Sequence, residues 1–154
     1  MLSREELRQR KTQFWAEFKA IMSLHRSTNG RKMNWLNYPT DIKNVYVRLD
    51  ADKNGARMTF DIQFKDAGIR EIFWEQLGEL KKVLNESMPS EGDWIFDCYS
   101  PNIDSFSRIS WEKKGINFFH DADHQAFFDF FKDHLLAFDE FYQNFNAILI
   151  NLVD

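Results

Sequence analysis

The chain has 154 residues, of which 44% are hydrophobic, 29% charged and 16% aromatic. This composition is typical of one folded globular domain, here expected to span residues 1–154. It excludes a disordered or collagen-like chain. A single cysteine excludes an internal disulfide and a cysteine-based zinc site. The sequence has neither a signal-peptide pattern nor an apolar run of transmembrane length, which predicts a cytoplasmic protein without a membrane partner.

The net charge of −4 conceals an uneven distribution. Residues 1–33 carry eight basic and three acidic side chains, whereas residues 121–154 carry one basic and seven acidic side chains. A basic segment of this kind favours contact with a phosphate backbone. Two oppositely charged helices packed side by side would give the same distribution, so both interpretations stay open.

The N-terminal part of the chain predicts one helix followed by a polar loop. Ser3 and Glu6 have the spacing of a capping box, and apolar residues then recur every three or four positions, which predicts a helix over residues 4–25. Asn29 and Gly30 form a turn signal within the basic, polar residues 26–34. We therefore expect an exposed loop there.

Two segments alternate polar and apolar residues with the period of a β-strand. They cover residues 44–50 and 56–65, and Asn54-Gly55 between them suits a tight turn. The pattern predicts an antiparallel hairpin with one buried side and one side facing solvent.

The rest of the chain predicts helices over residues 67–87 and 123–150, the second rich in phenylalanine, and strands over residues 93–99, 107–113 and 116–119. The predicted fold class is therefore α+β. An antiparallel sheet of about five strands is expected to be covered mainly on one face by three helices, in the order α-β-β-α-β-β-β-α.

The polar side of the predicted hairpin carries the first candidate site. Arg48, Arg57 and Lys65 lie on it, and Arg31 and Lys32 lie in the preceding loop. Such residues can bind the phosphates of a nucleic acid or the acidic surface of a protein partner. The first interpretation is a non-enzymatic binding domain, accessory to nucleic-acid processing or defence; a homo-oligomer is compatible with it.

The second interpretation is a divergent nuclease centred on Asp61, Gln63 and Lys65. Restriction-type nucleases use an acid on one strand and (E/Q)-x-K on the next, where the acids bind Mg²⁺ and the lysine positions water. The expected register works against this, because it pairs Asp50 near Arg57 and leaves Lys65 at the far end of the hairpin. No catalytic residue is therefore assigned.

His120 and His124 are four residues apart, a spacing that can chelate a metal on one face of a helix. Asp121 and Asp123 beside them suit the start of the following helix, since aspartate favours helix N-termini. No cofactor and no metal are assigned, and metal binding by the two histidines stays an open alternative.

A set of aromatic and charged motifs spread over nearly the whole chain carries a family resemblance. They include Phe14-Trp15, Asn34-Trp35-Leu36-Asn37-Tyr38, the stretch from Val45 to Asp52, Ala56-Arg57, Phe73-Trp74, Leu80-Lys81, Ser107-Arg108-Ile109 and the stretch from Leu136 to Phe141. The chain resembles a bacterial domain-of-unknown-function family that is often fused C-terminal to a restriction-type endonuclease domain and also occurs alone. The resemblance implies a single α+β domain, and it implies that any nuclease chemistry resides in the fused partner.

Overall fold

The computed structural model of the chain describes residues 2–153, so Met1 and Asp154 of the predicted domain lie outside it. Four α-helices and four β-strands lie within these residues. The helices are α1 (Arg4–Met22), α2 (Ala67–Glu79), α3 (Lys81–Ser87) and α4 (His124–Val153). The strands are β1 (Val45–Asp52), β2 (Gly55–Ile62), β3 (Asp93–Ser100) and β4 (Ile103–Lys114). Two short 3₁₀ turns, Trp35–Asn37 and Asp121–Asp123, precede β1 and α4.

Two antiparallel hairpins form the sheet, whose strand order is β1-β2-β4-β3. The β1–β2 hairpin confirms the prediction from the alternating segments, and Asp50 faces Arg57 in its register as expected. Gly55 follows the turn at a φ of 146°, where a side chain would lie 2.1 Å from the carbonyl oxygen of Lys113 on β4. Only glycine fits this close approach of two backbones.

The second hairpin, β3–β4, is irregular. The register of β3 against β4 shifts between Ile95 and Cys98 and again between Cys98 and Ser100. Such shifts mark bulges, which bend and twist a strand locally.

The two faces of the sheet differ in composition. One face is apolar: Met58 and Phe60 of β2 pair with Trp111 and Ile109 of β4, and all four side chains are fully buried. The opposite face is here called the polar sheet face. Its residues are Tyr46, Arg48, Asp50, Arg57, Thr59, Asp61, Arg108, Ser110 and Glu112.

The prediction of five strands and three helices is wrong, because the sheet has four strands and the described chain has four helices. The predicted strand over residues 116–119 is a turn and coil. Gly115 turns the chain at a φ of 84°, and Ile116 and Phe118 are both buried in the core. The amide of Phe118 donates to the carbonyl of Asp52, a single hydrogen bond where a strand would form a ladder.

The predicted helix over residues 67–87 is two helices. Leu80 separates α2 from α3 with a ψ of 0°, and its amide donates to the carbonyl of Leu77, three residues back. Leu77, Leu80 and Leu84 are all buried, so the break keeps apolar residues of both helices in the core. The strand predicted over residues 107–113 begins four residues earlier, because β4 covers Ile103–Lys114.

Helix α4 is the central element of the core, as its phenylalanine content predicts. Its first half packs against α1, where Phe128 stacks on Phe18 with 5.8 Å between ring centroids. The middle of the helix lies on the apolar sheet face, where the ring of Phe138 is 5.0 Å from that of Phe60. No helix among residues 2–153 combines the length and apolar character needed to cross a bilayer.

His134 of α4 is a buried, hydrogen-bonded histidine. Its Nδ1 lies 2.8 Å from the carbonyl oxygen of Phe130, and its Nε2 lies 2.7 Å from Oγ of Ser90. Burial lowers the pKa of His134 below the ordinary value of 6.5, because the interior disfavours the charged imidazolium. The folded protein therefore holds this side chain neutral at neutral pH.

We predict that acidification destabilises the protein through His134. Below about pH 6.5 the unfolded chain takes up a proton at this position while the folded chain does not, so the free energy of unfolding falls until the lower, folded pKa is reached. Replacing His134 with glutamine is expected to make stability depend less on pH. Urea unfolding at about pH 7 and about pH 5 measures this difference. His120→Gln, at an exposed histidine, is the control, and an identical pH dependence in wild type and His134→Gln contradicts the prediction.

Candidate functional site

The polar sheet face arranges its side chains in rows that run across the strands. The register places Tyr46, Asp61 and Arg108 in one row, Arg48, Thr59 and Ser110 in the next, and Asp50, Arg57 and Glu112 in the third. Arg48 and Arg57, which were predicted to bind a partner, and Asp61, the acid of the nuclease interpretation, are therefore neighbours on this face. The short hydroxyl residues Thr59 and Ser110 lie between the two rows that contain acids.

Ion pairs engage two of the three arginines on this face. Nε of Arg57 lies 2.9 Å from Oε1 of Glu112, and its Nη1 lies 3.6 Å from Oδ2 of Asp50. Arg108 contacts both carboxylate oxygens of Asp61, with Nε–Oδ1 at 2.7 Å and Nη2–Oδ2 at 3.0 Å. Asp61 is fully buried, and its hydrogen bonds raise the pKa of Arg108.

Arg48 is the exception on the polar sheet face. Its guanidinium carbon lies 4.5 Å from the centroid of the Tyr46 ring, an arrangement typical of a cation–π contact. Among residues 2–153, no carboxylate forms an ion pair with Arg48, and the side chain is exposed. Arg48 can therefore bind an external group without first breaking an ion pair.

Gln63 and Lys65 lie together at one end of the sheet, where both line a cavity of about 470 Å³. Asn44, Asn102 and Asp104 also line it, whereas Asp61 does not. One carboxylate, that of Asp104, thus lies among the lining residues. The structure brings Gln63 and Lys65 together but separates them from the acid with which the nuclease interpretation grouped them.

Arg70 of α2 closes the inner side of this cavity. Its Nη1 donates to the carbonyl oxygen of Phe96 at 2.6 Å and to Oγ of Ser107 at 2.9 Å. Its Nη2 donates to Oγ of Ser105 at 2.6 Å and to Oδ1 of Asp97 at 3.1 Å. These contacts tie α2 to the irregular β3–β4 hairpin, so Arg70 has a structural role. Arg70 was not among the residues predicted from the sequence, although a basic residue three positions before the apolar Phe73 was a usable signal.

The connection between α1 and β1, residues 23–44, is fastened to α4 and is here called the anchored loop. Its anchor is the carboxylate of Asp139, which is 1% exposed. Ser27 and Thr28 donate their hydroxyls to it, and Thr28 also donates its amide at 2.8 Å. Tyr38 donates its hydroxyl at 2.6 Å. Burial, together with the hydrogen bond to Asp139, raises the pKa of Tyr38.

The basic residues predicted in this loop are displayed on its surface. Arg31 and Lys32 are exposed, as are Lys19 and Arg26 nearby in sequence. Residues 18–40 contain these four basic residues and neither aspartate nor glutamate, and they are here called the acid-free segment. The basic loop was predicted from the sequence but the full extent of this segment was not, although a count of acids along the chain would have found it.

His120 and His124 do not share a helical face. His120 precedes the 3₁₀ turn in an extended conformation, and it is exposed. The Nε2 of His124 lies 2.6 Å from the carbonyl oxygen of Phe118, and its ring stacks on that of Phe118. Asp123 accepts a hydrogen bond from the amide of Asn117. Residues 2–153 contain no group of three or more histidine, cysteine or acidic side chains placed to hold a metal ion.

The family of this chain follows from its similarity to known proteins. The model of one family, described as "Domain of unknown function (DUF4268)", matches residues 10–146. The chain belongs to this family. None of the curated proteins and none of the solved structures matches it. The match covers the anchored loop, all four strands of the sheet and most of α4, so the family likeness noted in the sequence extends over this DUF4268 domain as a whole.

Proposed function

We propose that this DUF4268 domain is a non-enzymatic binding module whose partner is a nucleic acid. In this proposal, the exposed basic side chains of the acid-free segment contact the phosphates of the nucleic acid. The observation that carries the proposal is the exposure of Lys19, Arg26, Arg31 and Lys32 on a stretch without a single acid. Phosphate backbones are bound chiefly by such side chains.

The fixed shape of the anchored loop supports this assignment. Asp139 holds the loop from below through Ser27, Thr28 and Tyr38. Above these residues the loop is closed by its own hydrogen bonds, including one from the amide of Gly30 to the carbonyl of Ser27. A preformed surface loses less conformational entropy on binding than a mobile one. The carboxylate of Asp139, which the segment contacts, is buried, whereas the basic groups of the segment face outward.

The polar sheet face provides weaker support for nucleic-acid binding. Arg57 and Arg108 are each paired with acids on the same face, which offsets the positive charge that a phosphate would meet. Binding by Arg48, Arg57 and Lys65 stays a prediction, and Arg48 is its best-placed member because it lacks an acidic partner among the described residues. A protein partner of complementary charge would suit this face better.

The nuclease alternative has less support from the geometry. Asp61 is engaged on both oxygens by Arg108, and it lies outside the cavity that Gln63 and Lys65 line. A metal-dependent nuclease needs at least two carboxylates near the lysine, and Asp104 is the acid that lines this cavity. The resemblance of the chain to a family that is often fused C-terminal to a restriction-type endonuclease domain favours an accessory role in nucleic-acid processing, with the chemistry in another domain.

The proposal is tested by titrating a labelled single-stranded oligonucleotide with the full chain at several salt concentrations between about 50 and about 200 mM. We expect affinity to fall steeply with salt, because each phosphate contact adds about 0.7–0.9 to the slope of log affinity against log salt. Arg31→Gln is expected to reduce that slope by about one contact.

Lys82→Gln is the matched control, since Lys82 is an exposed basic residue on α3, outside the acid-free segment. Its slope should equal that of the wild type. Absence of binding at low salt contradicts the proposal. A slope lowered by Arg48→Gln but not by Arg31→Gln also contradicts it, because the contact would then lie on the polar sheet face.

A further inference from the structure

Another cavity is formed by the acid-free segment itself, between the end of α1 and residues 32–36. Its volume is about 380 Å³, within the range of small-ligand sites. Met33, Trp35 and Leu36 form an apolar wall on one side. The indole Nε1 of Trp35 donates to the carbonyl oxygen of His25 at 3.2 Å, which fixes the orientation of its ring. The wall is therefore apolar and preformed.

The rest of the lining is basic or neutral. Lys19 of α1 and Lys32 of the anchored loop contribute ammonium groups, His25 contributes an imidazole, and no acid lies among the lining residues. Both lysines are exposed, so their charged ends can reach groups outside the cavity as well as inside it. A ligand that suits this lining has a flat, weakly polar part and an anionic part beside it.

We infer that this cavity binds one unpaired nucleobase of a nucleic-acid strand, with the neighbouring phosphates on Lys19 and Lys32. The inference rests on the proposed function and adds to it a preference for single strands. A base in a duplex is stacked and paired, so it cannot enter a cavity without being extruded, whereas an unpaired base can be splayed out against apolar side chains. Met33 is partly exposed, and the thioether of a methionine is well suited to contact a polarisable ring.

A free mononucleotide could also place its base in this cavity. Binding of a strand and binding of a mononucleotide lead to different expected results. A strand places phosphates on both sides of the inserted base, so both lysines are engaged at once. A mononucleotide carries its phosphate on one side only. A strand is therefore expected to bind much more tightly than a mononucleotide, and the difference should shrink as salt is added.

The experiment measures fluorescence anisotropy of a short labelled oligonucleotide with the full chain. We expect the single strand to bind about tenfold more tightly than a duplex of the same sequence, and we expect removal of one base at a central position to weaken binding about tenfold. Met33→Gln, which makes the wall polar without changing the charge, should lower the affinity for the single strand and leave the affinity for the duplex unchanged.

Leu24→Gln is the matched control, because Leu24 is 84% exposed, lies next to the cavity in sequence and does not line it. The far-UV circular dichroism and urea midpoint of each variant show that it is folded. Equal binding of single strand and duplex, with no effect of base removal or of Met33→Gln, overturns the cavity assignment while the proposed function stands. Full competition by a nucleoside monophosphate at the concentration of the strand also overturns it. Loss of all nucleic-acid binding in the wild type overturns both.

Discussion

Replacing Asp139 with alanine is expected to lower the free energy of unfolding by about 4 kcal/mol, one of the two largest effects in this chain. The carboxylate receives hydrogen bonds from Ser27, from the amide and hydroxyl of Thr28, and from Tyr38. Removing it leaves the buried hydroxyls of Ser27 and Tyr38 without this acceptor, and each such donor costs about 1–3 kcal/mol. The anchored loop then loses its attachment to α4.

Two further variants separate the loss of hydrogen bonds from the loss of packing. Asp139→Asn keeps the shape but turns one acceptor into a donor, and we expect it to cost about 2–3 kcal/mol. Glu140→Gln, at the exposed neighbouring position, should change stability by less than about 0.5 kcal/mol. Urea unfolding measures all three variants, and amide hydrogen exchange over residues 25–40 reports on the loop. A wild-type urea midpoint for Asp139→Asn contradicts the prediction.

Replacing Arg108 with methionine is expected to cost about 3–5 kcal/mol, because it leaves the fully buried carboxylate of Asp61 without its bidentate partner. Arg48→Met on the same sheet face is the matched control. Arg48 is exposed and lacks an acidic partner among the described residues, so the same chemical change there should cost less than about 1 kcal/mol.

A double-mutant cycle tests whether the cost comes from the stranded charge. Adding Asp61→Asn to Arg108→Met removes that charge, so we expect the double variant to be more stable than Arg108→Met alone. Chemical denaturation of the four proteins gives the coupling energy. If the effects of the two single substitutions simply add, then the two side chains do not interact and the structural role assigned to Asp61 is wrong.

The regular parts of the fold could be predicted from local pattern. The β1–β2 hairpin follows from strict alternation with Asn54-Gly55 between the strands, and α4 follows from its phenylalanine spacing. The prediction of a strand over residues 116–119 was wrong, because a short apolar run before a helix has the composition of a strand. Its backbone is turned by Gly115 and held by one bond from Phe118, contacts that only the assembled fold determines.

The candidate site could also be predicted only in part, because contacts between residues distant in sequence are determined only by the assembled fold. Arg48 and Arg57 follow from their positions on the polar side of a strand. Asp139 was missed, although it lies four residues after Leu135 and three before Tyr142, on the buried side of α4. An acid in that position indicates a buried acceptor. Which donors reach it could not be known, because Ser27 and Tyr38 come from a loop more than a hundred residues earlier.

The irregular β3 strand also affects how readily the sheet could pair edge to edge with another chain. β3 lies at one end of the strand order β1-β2-β4-β3, so its outer backbone groups are not paired within the sheet. A long, regular outer strand would offer a template for another chain. The two register shifts between Ile95 and Ser100 interrupt the spacing of those groups, and Asp93 and Asp97 add exposed charges. We expect this bent, acidic margin to resist edge-to-edge aggregation even though Ile95 and Tyr99 are exposed there.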